Sequence, residues 1–261
     1  MPALNSAADA TTCGPGREFT GTSMRKTIHS LITATAILAL AAGVSAHAGG
    51  TPALSPATQA LIAPVHEAFV KADANEARLP PANTDSERLE RMLDSDQAGR
   101  KVFVQIDFSK VPRDEQLSAQ AAAWQDIEAH DLADQKALKA MMPAQGWFSS
   151  PPYSAKAVTA AFLIVQHAGR DSELQHEVLK RMAPLAGRGH DGEQYGMLYD
   201  RVSLDFDHKP QRYGSQVECK AGRWQPHTLE DPAHVDARRK AMGFQETEAA
   251  YLKRFAGMPC Q

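Results

Sequence analysis

The sequence predicts a mainly α-helical domain with a small antiparallel β-hairpin or three-stranded element, an α+β fold. Apolar residues recur at helical spacing in most segments between Pro56 and Met182. The segment from Ala155 to Ala168 is apolar nearly all round, which is typical of a central, buried helix. After Val202 the apolar residues alternate with polar ones, as they do in strands.

Helix signals follow one another through the N-terminal half. Residues 56–71 carry apolar positions at helical spacing, and the proline-containing run 79–84 ends that helix. Thr84 or Asp85 can cap a second helix. A third helix is predicted over 114–142, before a break that contains glycine and prolines.

The C-terminal half begins with the buried helix at 155–168, and Asp171 or Ser172 can cap the helix after it. A loop is predicted at 184–192 and a short helix at 193–199.

The β-hairpin is predicted near 202–218, because Val202, Leu204 and Phe206 alternate with polar residues, and residues 222–224 can add a third strand. Asp231-Pro232 then opens a helix, and 245–255 forms the last one.

Residues 24–48 have the three-region pattern of a signal peptide. Met24-Arg25-Lys26 is a positive n-region, residues 28–44 are apolar, and Ala46-His47-Ala48 suits a signal peptidase. We therefore interpret residues 1–23 as an over-extended, disordered start, with a long n-region as the alternative. A membrane anchor is disfavoured because the apolar run is shorter than the ~20 residues that a span needs.

Four segments follow from this interpretation: the start at 1–23, the signal peptide at 24–48, an N-terminal helix and linker at 49–84, and the helical domain at 85–261. We expect a periplasmic or secreted protein that has no membrane contact after cleavage. The formal net charge is −3, with Lys and Arg dispersed, which argues against nucleic acid as a partner. A small molecule or a protein remains as the unknown partner.

The cysteines predict one disulfide. Signal cleavage removes Cys13 and leaves Cys219 and Cys260, and two cysteines in an oxidising compartment usually pair. Closing a loop of about 40 residues would stabilise the fold by about 3–4 kcal/mol on the chain-entropy model.

Local motifs predict no cofactor and no metal. The glycines at 187–192 match a dinucleotide loop in letters, but a helix and Pro184 precede them where a strand is needed. His176-Glu177 begins like a zinc-protease helix, but Lys180 stands where the second ligand should be. A metal site would need residues assembled from distant parts of the chain.

Polar residues at positions where a core is expected are the sharper signal. Gln166 and His167 end the buried helix, and Asp200-Arg201 lies at a predicted helix-to-strand corner. Hydrogen-bonding side chains crowd the strand after that corner, namely Gln211, Tyr213 and Gln216. Each group can be a satisfied structural contact or part of a polar pocket. Because burying Asp or Arg without a partner is costly, we expect these side chains to converge.

Several of these motifs also resemble a known family. The run 161–168 with Asp171 looks like the central motif of the uncharacterised bacterial family catalogued as domain of unknown function 6624. Asp200-Arg201-Val202 with 209–216 resembles its second motif, except that Ser215 replaces the more common Thr. Weaker marks of the family are Asp96-Gln97 with Arg100, Gly146-Trp147, Arg238-Arg239 and Gly243. The resemblance covers roughly 89–251 and implies a common fold and a shared polar site, without a reaction.

Two functions are compatible with these observations. In the first, which we favour, the domain is a binding or structural module whose polar motif joins the helices to the hairpin. In the second it is an extracytoplasmic hydrolase: His167 is the general acid/base, Asp200 orients it and Arg201 holds an anionic group. The other polar residues would line the ligand pocket, namely Gln166, Gln211, Tyr213 and Gln216.

Overall fold

A computed structural model describes residues 53–258 and residue 260. The predicted over-extended start and the predicted signal peptide lie outside the described residues. Within the described residues the chain forms eight α-helices and one two-stranded antiparallel sheet, which confirms the predicted fold class. None of these helices combines the length and the apolar character that crossing a membrane requires.

Three helices form the N-terminal layer: α1 (Pro56–Glu76), α2 (Asp85–Phe103) and α3 (Gln116–Met141). Ser55 and Thr84 cap α1 and α2 by accepting hydrogen bonds from backbone N–H groups in the first turn. The helices enclose an apolar cluster of Val65, Phe69, Phe103, Ala123, Trp124 and Ile127.

Gly99 allows α1 and α2 to approach closely. A Cβ at this position would lie 1.9 Å from the Phe69 ring, so only glycine fits the contact. This close approach of α1 and α2 also fixes the position of the buried polar residues beside Gly99 on α2, which are Asp96, Gln97 and Arg100.

The central helix α4 (Ala155–His167) is buried along almost its whole length, as its sequence predicts. Ser154 caps it. The following helices α5 (Ser172–Met182) and α6 (Gly189–Asp205) pack on it and complete the main core. Asp171 caps α5.

The C-terminal part holds strands β1 (Val217–Lys220) and β2 (Arg223–Pro226), then α7 (Val235–Met242) and α8 (Glu248–Leu252). Val217 lies opposite Pro226 in the antiparallel register. A Cys219–Cys260 disulfide, with 5.3 Å between the Cα atoms, confirms the predicted pairing. It ties the end of the chain to β1.

The hairpin lies at 217–226 and not near 202–218 as predicted. Residues 202–205 continue α6, where Val202 is buried one turn after Leu198. The prediction was wrong because three alternating residues are too few to oppose a helix that already propagates from residue 189. The loop predicted at 184–192 likewise ends early, because α6 begins at Gly189.

Candidate ligand site at the junction of three helices

Four charged or titratable side chains meet where α2, α3 and α4 pack together. Asp96 and Arg100 are one turn apart on α2 and therefore share a face. Asp131 lies one turn after the buried Ile127 on α3, and His167 is the last residue of α4. We call these four residues the junction cluster.

The contacts in the junction cluster are close and directed. His167 Nδ1 lies 2.7 Å from Asp96 Oδ1, and Arg100 Nε lies 3.6 Å from the same oxygen. A second nitrogen of Arg100 donates to Asp131 Oδ1. Arg100 is fully buried, whereas Asp131 and His167 each keep 8% of their surface exposed. The cluster therefore meets solvent at Asp131 and His167.

The carboxyl groups of this region have pKa values that are shifted in different directions. Burial raises the pKa of Asp96, but His167 and Arg100 outweigh it and hold that pKa below its usual value. Burial raises the pKa of Asp131 in spite of Arg100. Burial, with repulsion from Asp96 and Asp131, raises the pKa of nearby Asp134 to about 8. Asp134 is therefore protonated at neutral pH.

Unsatisfied polar atoms concentrate around the junction cluster. Within the part of the chain that the structure describes, nine buried side-chain nitrogen or oxygen atoms lack a hydrogen-bond partner. Five of them belong to the cluster or its neighbours: Gln97 Oε1, Arg100 Nε, Arg100 Nη1, Asp134 Oδ2 and Gln166 Nε2. Such atoms are costly in a native structure, so each of them needs a partner such as a water molecule or a ligand.

Asp200 does not contact His167, which it was predicted to orient, and instead binds a loop. Its carboxylate is fully buried and accepts hydrogen bonds from the backbone N–H groups of Arg212 (2.7 Å), Tyr213 (3.0 Å) and Ser215 (2.9 Å), and from Ser215 Oγ (2.9 Å). Burial raises the pKa of Asp200 to about 6, against the opposing effect of these donors. Asp200 therefore shapes the loop at 212–215.

The side chain of Gln211 also stabilises that loop through hydrogen bonds. Its amide nitrogen donates to the carbonyls of Gln216 and His227, and its amide oxygen accepts from Gln216 N, each at 2.9 Å. Gly214 takes a φ of +64°, which favours glycine. Gln211 forms an isolated parallel bridge with Leu229, whereas residues 212–216 form a loop held by side chains and not the predicted strand.

The remaining predicted site residues are also packed. Arg201 Nε donates to Gln166 Oε1 at 2.6 Å, and the two guanidinium groups of Arg100 and Arg201 repel each other electrostatically. Gln216 Nε2 donates to Ser215 Oγ at 3.2 Å, and the Tyr213 ring stacks on Phe244 at 5.8 Å between centroids. All seven predicted site residues are at most 8% exposed.

The predicted convergence occurs in part. Asp200, Gln211 and Gln216 share one network, and Gln166 contacts Arg201. His167, however, pairs with Asp96, and the acceptor sites of Asp200 are filled by loop donors. Asp200-Arg201 also lies inside α6 rather than at a helix-to-strand corner.

Asp131 and Asp134 were not predicted as site residues. Asp131 lies seven residues after Trp124 and four after Ile127, on the apolar face of α3. A carboxyl group within an apolar stripe was therefore the sequence feature that could have indicated a site residue. Asp96 and Arg100 entered only as weak family marks. No local spacing links these residues to His167.

Comparisons with known proteins agree with the sequence motifs. No curated protein and no solved structure matches the chain. A family model described as a family of unknown function (DUF6624) matches residues 82–256. That match contains the junction cluster and the Asp200 loop. The chain therefore belongs to the family of unknown function DUF6624.

Proposed function

We propose that the protein is an exported binding module whose ligand site is the junction cluster. The ligand is a small polar species that reaches the cluster at Asp131 and His167. The observation that carries this proposal is the concentration, around the cluster, of five buried polar atoms that lack a hydrogen-bond partner among the described residues.

Energetics support a ligand at this position. Each unsatisfied buried polar group costs about 1–3 kcal/mol, so five of them cost a large part of the stability of an ordinary domain. Water can satisfy single groups of this kind. A ligand that pairs with several of them at once would recover more of this energy, and its binding would stabilise the folded protein.

The Asp200 loop has the structural role in this proposal. Its donors and acceptors are paired with one another, and its side chains are buried. It holds α6 in place, and α6 carries Arg201 against Gln166 at the edge of the junction cluster.

Export is supported by the signal-peptide pattern at 24–48 and by the Cys219–Cys260 disulfide, since disulfides persist in oxidising compartments. We expect a mature N-terminus near Gly49. N-terminal sequencing of protein from the extracytoplasmic fraction tests this, and a cytoplasmic product that retains Met1 would contradict it.

A thermal-shift screen tests the binding site. The panel consists of divalent metal chlorides, inorganic phosphate, short carboxylic acids, amino acids and sugars. At a hundredfold excess over Kd, a ligand stabilises the fold by about 2.7 kcal/mol, a shift of several degrees. We expect at least one probe to stabilise the natural protein and to lose its effect in His167→Gln.

The control for this screen is His66→Gln. His66 also lies beside an aspartate, 3.1 Å from Asp126 Oδ2, but the pair is exposed. The control variant should respond as the natural protein does. A panel without any stabilising probe, or a probe that acts equally on His167→Gln, would overturn the proposal.

A hydrolase is the second candidate, and one geometric observation favours it. The Asp96 carboxylate accepts a hydrogen bond from His167 Nδ1. His167 Nε2 has no hydrogen-bond partner among residues 53–258 and 260. A carboxylate that orients an imidazole in this way is half of a general acid–base arrangement. In this candidate Asp96 takes the orienting role that was predicted for Asp200. A substrate whose turnover stops in His167→Gln without loss of stability would favour it.

A further inference from the structure

We propose that Asp96, Asp131 and His167 together bind one divalent transition-metal ion. The proposal rests on the binding function above and names its ligand. The local sequence motifs predicted no metal, because the three donors come from three separate helices.

The donor geometry is close to what an ion requires. One ligand atom from each of the three residues lies within 4.8 Å of the others, and all three residues are buried. Around a tetrahedral ion with bonds of about 2.1 Å, the ligand atoms lie about 3.4 Å apart. Side-chain rotations that bring the three donor atoms from within 4.8 Å of one another to this spacing would complete the site.

An orphan acceptor next to the cluster points independently to a cation. Gln97 is 3% exposed, and its amide nitrogen donates to Asp96 Oδ2. Its amide oxygen is buried beside that carboxylate without any donor among the described residues. A cation, or a water molecule bound to one, is a species that satisfies such an oxygen.

The excess of negative charge in this region also favours a bound cation. The carboxylates of Asp96 and Asp131 face a single guanidinium, that of Arg100, within this buried region. Arg100 binds Asp131 through Oδ1, and no described residue donates to Oδ2. Arg100 can therefore remain as a counter-charge while Asp131 Oδ2 binds the ion.

The donor types select the class of metal. An imidazole with two carboxylates suits Zn²⁺, Mn²⁺ or a similar ion, whereas Ca²⁺ and Mg²⁺ prefer sites made only of oxygen. Three protein ligands also leave a position for water or for a bound anion.

Calorimetric titration with ZnCl₂, after removal of metals with EDTA, tests the proposal on the full protein. We expect one zinc ion per chain, no response to CaCl₂ or MgCl₂, and at least a hundredfold weaker zinc binding in Asp131→Asn. Asp126→Asn is the matched control, because Asp126 is on the same helix beside an exposed histidine. Its zinc affinity should not change.

A measurement on the natural protein covers the case in which Asp131→Asn does not fold. In a spectrum of ¹⁵N-labelled histidine, zinc should shift the ring nitrogens of His167. Unchanged His167 nitrogens, or unchanged zinc binding in Asp131→Asn, would overturn the proposal. If a metal-free probe binds at the cluster and zinc does not, this inference falls and the binding function stands; if nothing binds there, both fall.

Discussion

Asp200→Ala is expected to lower the free energy of unfolding at pH 7 by about 3–5 kcal/mol, the range for breaking a buried charged network. The substitution leaves three backbone N–H groups and the Ser215 hydroxyl without their acceptor in a fully buried place. Each orphaned donor carries a desolvation penalty. The loop at 212–215 should then lose its conformation.

Urea unfolding, followed by circular dichroism, measures this effect. The control is Asp94→Ala on α2, where the carboxylate is 70% exposed and lies 2.8 Å from the ammonium group of Lys156. Its loss should stay below about 1 kcal/mol, as for other exposed ion pairs. Equal losses in the two variants would show that the Asp200 loop does not carry stability.

Asp134→Asn is expected to remove a pH dependence from the stability of the metal-free protein. The pKa of Asp134 is about 8 in the fold, because of burial and of Asp96 and Asp131, and about 4 in an unfolded chain. Arg100 and Asp73 act on it in opposite directions, Arg100 lowering its pKa and Asp73 raising it. The folded protein must keep a proton that the unfolded chain releases, so stability falls as pH rises from about 4 to 8.

The slope of this loss is at most ~1.4 kcal/mol per pH unit. The stability difference between Asp134→Asn and the natural protein should therefore grow by about 3–4 kcal/mol from pH 5 to pH 8. Urea unfolding in EDTA at four pH values measures it. Asp126→Asn, on the exposed side of α3, should show no such trend. A constant difference between Asp134→Asn and the natural protein would contradict the placement of this carboxyl.

Much of the fold was predictable because the helices carry their own signals. The buried helix α4 is apolar on every side, and Thr84 and Asp171 are caps at the predicted places. The hairpin was misplaced because the alternation at 202–206 is local, whereas the end of α6 depends on contacts with the core. The disulfide needed only the count of cysteines and the compartment.

The site was predictable only as a set of buried polar residues. His167, Asp200 and Gln211 are buried and hydrogen-bonded as expected. Their pairing was not predictable, since the partner of His167 lies 71 residues earlier in the chain and Asp200 binds backbone groups of a loop. Backbone donors leave no trace in a sequence, and partners on distant helices require the tertiary structure.

The metal site at the junction cluster is the central claim, and anomalous diffraction tests it most directly. Crystals grown with ZnCl₂ should give an anomalous peak at the zinc edge about 2.0–2.2 Å from Asp96 and Asp131 oxygens and a His167 nitrogen. A cluster without a peak, in which Arg100 still bridges both carboxylates and zinc binds only at exposed histidines such as His66, would contradict the account.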